Sequence, residues 1–156
     1  MKDKQTFRTN LDEIMPIIKE RLANGDFVRF SPRGTSMLPM LRQGIDSVVL
    51  SPLPAKLKKY DIPLYKRDNG QFVLHRIVKV DENYTCVGDN QFCLEKGIRH
   101  DQMIAVVTEF YRENRRISVN SLSYKVYCRL WHFSRPLRYV FRGATVRVIK
   151  LLKKTK

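Results

Sequence analysis

The segment Gly34-Thr35-Ser36-Met37-Leu38-Pro39 contains the residue types that a nucleophilic serine requires. A glycine two positions before a serine lets the backbone turn tightly and present both the hydroxyl and the serine's own amide. The hydroxyl can attack a carbonyl carbon when a base takes its proton, and backbone amides can then stabilise the oxyanion. Ser36 is therefore the candidate nucleophile of an acyl-transfer reaction.

This serine needs a base, and the candidates are any desolvated lysine and the three histidines, His75, His100 and His132. His75 lies in the middle of the run Phe72 to Val80, whose apolar and β-branched residues predict a strand. A rigid strand would hold the imidazole in one position. We therefore expect His75 to act as the general base.

A carboxylate near the imidazole would fix its tautomer. The segment Gly88-Asp89-Asn90 follows the predicted strand Tyr84 to Val87 and has the composition of a β-turn. We expect Asp89 to accept a hydrogen bond either from the imidazole of His75 or from the backbone of the active site.

The order of these three motifs resembles the conserved boxes of type I signal peptidases. Ser-Met-x-Pro is followed 39 residues after the serine by His-Arg-Ile-Val, and Asp89 of Gly-Asp-Asn lies 14 residues after His75. The sequence looks most like the endoplasmic-reticulum, archaeal and sporulation branch, in which histidine replaces the lysine base. Residues 57–62 are similar to the family's "keeps-Gly-Asp-Ile-Val" strand, so the resemblance covers roughly residues 30–107.

This resemblance implies an all-β peptidase fold shared with the SOS-response repressors and a mechanism that uses serine and histidine. It implies cleavage of an extended peptide after small side chains, without a metal or a cofactor. Ser36 would be the nucleophile and His75 the base, and Asp89 would be structural or orienting. Met37 and Pro39 would shape the loop under the substrate.

Two details of the implied site differ from the family pattern or stay open. Many signal peptidases have a serine where this chain has Gly34, so the oxyanion hole would rest on backbone amides of the loop around Thr35. A further acid is expected after Gly-Asp-Asn, and here it can only be Asp101. The acid that orients His75 is therefore either Asp89 or Asp101.

The rest of the chain predicts one helix followed by short antiparallel strands. Asn10 can cap a helix from Leu11 to Ala23, which Gly25 would end. The following runs rich in Val, Ile, Phe and Tyr predict strands at Phe27 to Phe30, Ser47 to Leu50, Ile62 to Lys66, Phe72 to Val80, Tyr84 to Val87 and Met103 to Tyr111.

A tight hairpin is predicted at Asp68-Asn69-Gly70, because these residues tolerate the positive φ angles of such turns. The hairpin would pair Leu64 to Arg67 with Gln71 to Arg76. Pro63 has no amide hydrogen to donate, so its strand should lie at a sheet edge or bend at its start.

The C-terminal stretch from Leu122 to Leu152 has apolar residues at helical spacing with Arg and Lys between them. Pro136 should separate two helical pieces. The β-branched residues 145–149 also suit a strand. The expected fold is thus mainly β, a signal-peptidase/repressor-type antiparallel peptidase fold. It would comprise an N-terminal helix (1–26), a β peptidase domain (27–120) and a basic amphipathic C-terminal segment (121–156).

The charge of the chain is strongly asymmetric. Its 156 residues carry a formal net charge of +15, and the sequence after Glu113 contains 12 Lys and Arg residues and no acid. Three cysteines are too few for a disulfide framework, and neither an export signal nor an apolar stretch of membrane-spanning length is visible. We therefore expect a cytoplasmic protein whose residues 122–156 can attach it to an anionic membrane surface.

Two other functions use the same features. A self-cleaving repressor would need a DNA-binding domain and an upstream Ala-Gly or Cys-Gly bond, and the first 26 residues contain neither dipeptide. A catalytically inactive peptidase fold could bind nucleic acid or anionic membrane through its basic tail, where aromatic residues alternate with basic ones. An inactive module would leave the Ser, His and Asp motifs unexplained. We therefore expect the partner to be a peptide or protein substrate, and we do not expect nucleic acid to be a partner.

Overall fold

The computed structural model describes residues 11–141, and its first element is the predicted helix, α1 (Leu11–Ala23). Gly25 ends it with a φ of 82°, and the amides of Gly25 and Asp26 donate to the carbonyls of Leu22 and Arg21. The expected cap, Asn10, lies outside the described residues.

Nine strands and a short 3₁₀-helix follow within residues 11–141. The strands are β1 (Val28–Phe30), β2 (Ser47–Pro52), β3 (Pro63–Lys66), β4 (Phe72–Leu74), β5 (Arg76–Val80), β6 (Tyr84–Val87), β7 (Glu95–Ile98), β8 (Met103–Arg112) and β9 (Arg115–Ser118). The 3₁₀-helix (His100–Gln102) lies between β7 and β8, and the helix α2 (Leu122–Phe133) follows β9. The chain is therefore mainly antiparallel β, as the sequence predicts.

The strands form two antiparallel sheets in the described part of the chain. The larger sheet has the order β1-β2-β8-β3-β4, and β9 pairs with β8. The smaller sheet has the order β5-β6-β7. The sequence pattern missed β7 and β9, because Glu95-Lys96-Gly97-Ile98 and Arg115-Arg116-Ile117-Ser118 are short and mostly polar.

The hairpin at residues 68–70 is confirmed by the pairing of β3 with β4. Leu64 is opposite Leu74 and Lys66 is opposite Phe72. The expectation that the Pro63 strand lies at an edge is wrong, because β3 has β8 on one side and β4 on the other. Pro63 is instead the first residue of β3. The pairing of β3 with β8 shifts register between Leu64 and Tyr65.

The predicted strand Phe72 to Val80 is broken at His75. Residues before His75 belong to β4 in the larger sheet, and residues after it belong to β5 in the smaller sheet. His75 is thus a one-residue link between β4 and β5, and not a mid-strand residue. The backbone of β5 is tied to the preceding loop by two hydrogen bonds, from the Tyr60 amide to the Ile77 carbonyl and from the Ile77 amide to the Asp61 carbonyl.

Both helices contribute to the core of the larger sheet. Ile18 and Leu22 of α1 and Tyr124 and Cys128 of α2 are buried in the same apolar cluster as the strand residue Leu50. A second cluster, around Tyr65, Ile77 and Cys86, lies between the two sheets. Met37 of the loop that carries Ser36 belongs to the first cluster, so this loop packs against α1, the larger sheet and α2.

The C-terminal segment is helical as far as the structure describes it. Ser121 caps α2, Ser134 interrupts the helix, and residues 135–141 are helical again. The break that was predicted near Pro136 lies two residues earlier, at Ser134. Pro136 falls in the first turn of the second helical piece, where proline is tolerated. The predictions for residues 142–152 lie outside the described residues. Among residues 11–141 no helix is both long and apolar enough to cross a bilayer.

Candidate active site

Ser36 lies in the loop between β1 and β2, and this loop is held by its own hydrogen bonds. Gly34 has a φ of 96° and donates its amide to Gln43 Oε1 at 2.7 Å. The Leu38 amide donates to the Thr35 carbonyl at 3.2 Å, which makes a turn around Ser36. Met37 is buried in the core, whereas Ser36 is only half-buried. The loop therefore anchors one side chain inside and leaves the neighbouring hydroxyl accessible.

The Gly88-Asp89-Asn90 turn packs directly on this loop. The Asn90 amide donates to the Ser36 carbonyl at 2.8 Å, and Asn90 Nδ2 donates to the Thr35 carbonyl at 3.2 Å. A Cβ atom at Gly88 would lie 2.6 Å from the Ser36 carbonyl oxygen and 3.0 Å from Ser36 Cβ. Only glycine permits this close approach, so the second motif positions the backbone of the first.

Ser36 and His75 line one cavity of about 310 Å³. One wall is formed by residues 32–37 of the serine loop, and the other by residues 71–75, which include β4. Within residues 11–141, no hydrogen bond joins the Ser36 hydroxyl to the imidazole. The two predicted catalytic residues, 39 positions apart in the chain, therefore face a common space that a substrate can enter.

The carboxylate at His75 is that of Glu95. His75 is 2% exposed, and its Nδ1 lies 2.9 Å from Glu95 Oε1 and 3.4 Å from the Tyr65 hydroxyl. Glu95 reaches this position because β7 pairs with β6, where Glu95 is opposite Cys86. With Nδ1 beside a carboxylate, Nε2 is the nitrogen that is left to accept a proton.

Glu95 is itself held by two hydrogen-bond donors. The Tyr65 hydroxyl donates to Glu95 Oε2 at 2.8 Å, Arg67 Nε donates to the same oxygen at 2.9 Å, and Arg67 Nη2 contacts Oε1. Burial would raise the pKa of Glu95, but the bonds from Arg67 and Tyr65 outweigh it and lower that pKa. The carboxylate is therefore ionised at neutral pH.

Burial also controls the protonation of His75. It lowers the pKa of His75, and the nearby charge of Glu95 only partly opposes this effect, while Arg67 adds to it. The imidazole is therefore neutral at neutral pH, as a general base must be. No lysine lines this cavity among the described residues, and Lys79 pairs with Asp81 at 2.6 Å.

The structure places Asp89 and Asp101 away from His75 Nδ1. Asp89 is 5% exposed and accepts two hydrogen bonds from Arg76, at 2.8 Å from Nε and 2.7 Å from Nη2. Asp101 is exposed and pairs with Arg99 at 3.1 Å. The expected orienting bond to His75 is thus made by neither aspartate, because sheet pairing brings the side chain of Glu95 to this position.

Arg76, the residue after His75, connects the three motifs to the C-terminal helix. Its guanidinium binds Asp89 of the turn and contacts Met40 Sδ behind the serine loop at 2.9 Å. It also donates to the Tyr124 hydroxyl at 2.8 Å and contacts Cys128 Sγ at 3.0 Å, both in α2. Asp89 is therefore structural: it holds a buried arginine around which the loop, the turn and α2 assemble.

Sequence reasoning missed Tyr65, Arg67, Arg76 and Glu95 as residues of the site. Arg76 was part of a recognised motif, but nothing in the sequence indicated that it is buried. Tyr65 and Arg67 precede and follow Lys66 near the predicted hairpin, so their shared position on one face of β3 could have been noticed. Glu95 had no such signal, since its strand was not predicted.

No protein-family model matches the sequence, and comparisons with curated proteins and with solved structures found no match. The likeness to type I signal peptidases therefore rests on the motifs themselves.

Proposed function

We propose that the chain is a serine endopeptidase with Ser36 as nucleophile, His75 as general base and Glu95 as the carboxylate that orients the base. The observation that carries this proposal is the shared cavity of Ser36 and His75, together with the 2.9 Å contact between His75 Nδ1 and the half-buried Glu95 carboxylate. We further propose that the two sheets form the peptidase fold shared by signal peptidases and SOS-response repressors.

In the proposed mechanism the two nitrogens of the His75 imidazole have different roles. His75 Nε2 takes the proton of Ser36 Oγ as that oxygen attacks the scissile carbonyl, and Glu95 stabilises the imidazolium that forms. The backbone amide of Ser36 donates to the oxyanion. His75 then gives the proton to the leaving amine, and water hydrolyses the acyl-serine by the same steps in reverse.

The substrate is an extended peptide. Among residues 11–141, strand β4 pairs with β3 on one side only and forms one wall of the cavity, so its other backbone edge can bind a peptide in β conformation. We propose cleavage after small residues, as the resemblance implies.

The decisive experiment is covalent labelling with a fluorophosphonate, combined with peptide hydrolysis. Ser36→Ala should abolish labelling and lower kcat/KM about a thousandfold or more, because it removes the nucleophile and leaves the loop intact. Ser31→Ala, an exposed serine at the start of the same loop, is the matched control and should behave as the wild type. Labelling that persists in Ser36→Ala would contradict the assignment.

The second candidate is an inactive peptidase fold that binds its partner through the basic segment. The observation that favours it is the absence of a Ser36–His75 hydrogen bond within residues 11–141. Such bonds are often long in free enzymes and shorten when substrate binds, which is what the peptidase proposal requires. An unlabelled wild-type protein would favour the inactive module. For either function we propose a location at the cytoplasmic surface of a membrane.

A further inference from the structure

The outer face of the C-terminal helices is an exposed apolar stripe. It consists of Leu122, Val126, Leu130, Phe133 and Leu137, whose side chains are between 46% and 77% exposed. At 100° per residue the four members within α2 fall in an arc of roughly 80° on one side of the helix. Contiguous exposed apolar side chains of this kind indicate a binding surface, whereas singly scattered ones do not.

The opposite face of the segment is fixed to the domain, so the stripe cannot turn inward. Tyr124 and Cys128 are buried against Arg76. Trp131 Nε1 donates to the Asp89 carbonyl at 3.0 Å, and Arg138 Nη1 donates to the same oxygen at 3.1 Å. The segment is therefore a docked helix whose apolar side faces away from its own protein.

Charge complementarity identifies what this stripe contacts. Lys125 and Arg129 are exposed on α2 beside the stripe, and the sequence from residue 114 to its end contains no acid. Each basic residue near an anionic bilayer is attracted to its surface, and apolar side chains strengthen binding by entering the headgroup boundary. We propose that this face binds the surface of an anionic lipid bilayer.

Nucleic acid fits the face less well, because three of the aromatic residues that could stack on bases are already engaged. Tyr124 is buried, and Trp131 lies between Tyr127, stacked at 5.9 Å, and the Arg138 guanidinium at 3.6 Å. The exposed positions of the stripe are mainly aliphatic, and aliphatic side chains do not stack on bases. They do partition into lipid.

The experiment measures sedimentation of the full chain with vesicles of phosphatidylglycerol or of phosphatidylcholine. The wild type should bind phosphatidylglycerol vesicles, bind phosphatidylcholine vesicles weakly, and bind less at high salt. Leu130→Ser with Phe133→Ser leaves the net charge unchanged and should weaken partitioning on the order of tenfold or more. Phe27→Ser with Ile45→Ser, two exposed apolar residues outside α2, is the matched control and should bind as the wild type.

Ser36→Ala should also bind vesicles as the wild type, which separates this surface from the peptidase site. Equal binding by the Leu130/Phe133 variant and the wild type would overturn the proposal, because charge alone would then explain binding. So would a wild type that binds single-stranded oligonucleotides but not phosphatidylglycerol vesicles, which would identify nucleic acid as the partner.

Discussion

Two neighbouring residues, His75 and Arg76, are both 2% exposed, and each lies against a carboxylate, but the two pairs differ in kind. Arg76 keeps its charge at every accessible pH, and Asp89 neutralises it through two hydrogen bonds. His75 is held neutral by burial while Glu95 stays ionised because Arg67 and Tyr65 bind it. Arg76 is thus a fixed buried charge paired with a carboxylate, whereas His75 is a side chain that can gain and lose a proton.

The contribution of each carboxylate, Asp89 or Glu95, depends on the side chain that it binds. Asp89 belongs to a recognised catalytic motif, yet its partner is a cation that cannot titrate, so its contribution is to stability. Glu95 belongs to no motif, yet its partner is the proposed base, which lines the cavity with Ser36. Variants at each carboxylate should therefore separate into effects on catalysis and effects on folding.

The largest effect is expected for Glu95→Gln. The amide can donate to His75 Nδ1, which would place the remaining proton on Nε2 and prevent it from accepting the Ser36 proton. We expect kcat/KM to fall on the order of ten-thousandfold, as for the loss of an orienting carboxylate in a serine triad. Hydrolysis of a peptide substrate measures this. The matched control is Asp101→Asn, which should retain wild-type activity; a comparable loss there would restore Asp101 as the orienting acid.

The next largest effect is expected for Asp89→Ala, and it is a loss of folding stability. The variant leaves the buried Arg76 charge without a partner, which should lower the free energy of unfolding by about 3–5 kcal/mol. Urea unfolding followed by circular dichroism measures this loss. Adding Arg76→Ala should cost less than the sum of the two single changes, because the double variant has no unpaired charge. Additive losses would show that the pair is not coupled.

The smallest effect is a shift in the pH profile. A histidine must be neutral to accept the Ser36 proton, so kcat/KM should rise with pH and then level off. Because burial lowers the pKa of His75, the rise should be centred below the ordinary value of about 6.5. In Glu95→Gln the residual activity should rise at still lower pH, since the charge that favours imidazolium is gone. A rise centred above pH 7.5 would contradict this assignment of the base.

The folding stability that depends on His75 should change with pH in the same direction as the activity. Since its folded-state pKa lies below the unfolded value, the stability that depends on neutral His75 is present above the unfolded pKa and is lost as the pH falls. Below the unfolded pKa the imidazole must lose its proton to be buried in neutral form, which costs free energy, so acid should weaken the fold at the same residue that loses its function as a base.

Local signals in the sequence were enough for several features of this protein. Helix α1 has the bounds that its apolar spacing and Gly25 predict, and the hairpin turns at residues 68–70, where Gly70 has a φ of 88°. Ser36 and His75 were found from motifs, and the structure places both at one cavity. The helix and the hairpin depend on residues that are close together in the chain. Ser36 and His75 were identified from the order in which their motifs follow one another.

Tertiary structure alone decided which carboxylate meets the base. Asp89 is nearer to His75 in the chain, but Arg76 binds it, and Glu95 arrives through the pairing of β7 with β6. The same holds for the break at His75: an unbroken apolar run predicts one strand, and the chain divides it between two sheets. Strand partners depend on long-range packing and hydrogen bonding, to which residues far apart in the chain contribute, so no local pattern around Glu95 or His75 could reveal them.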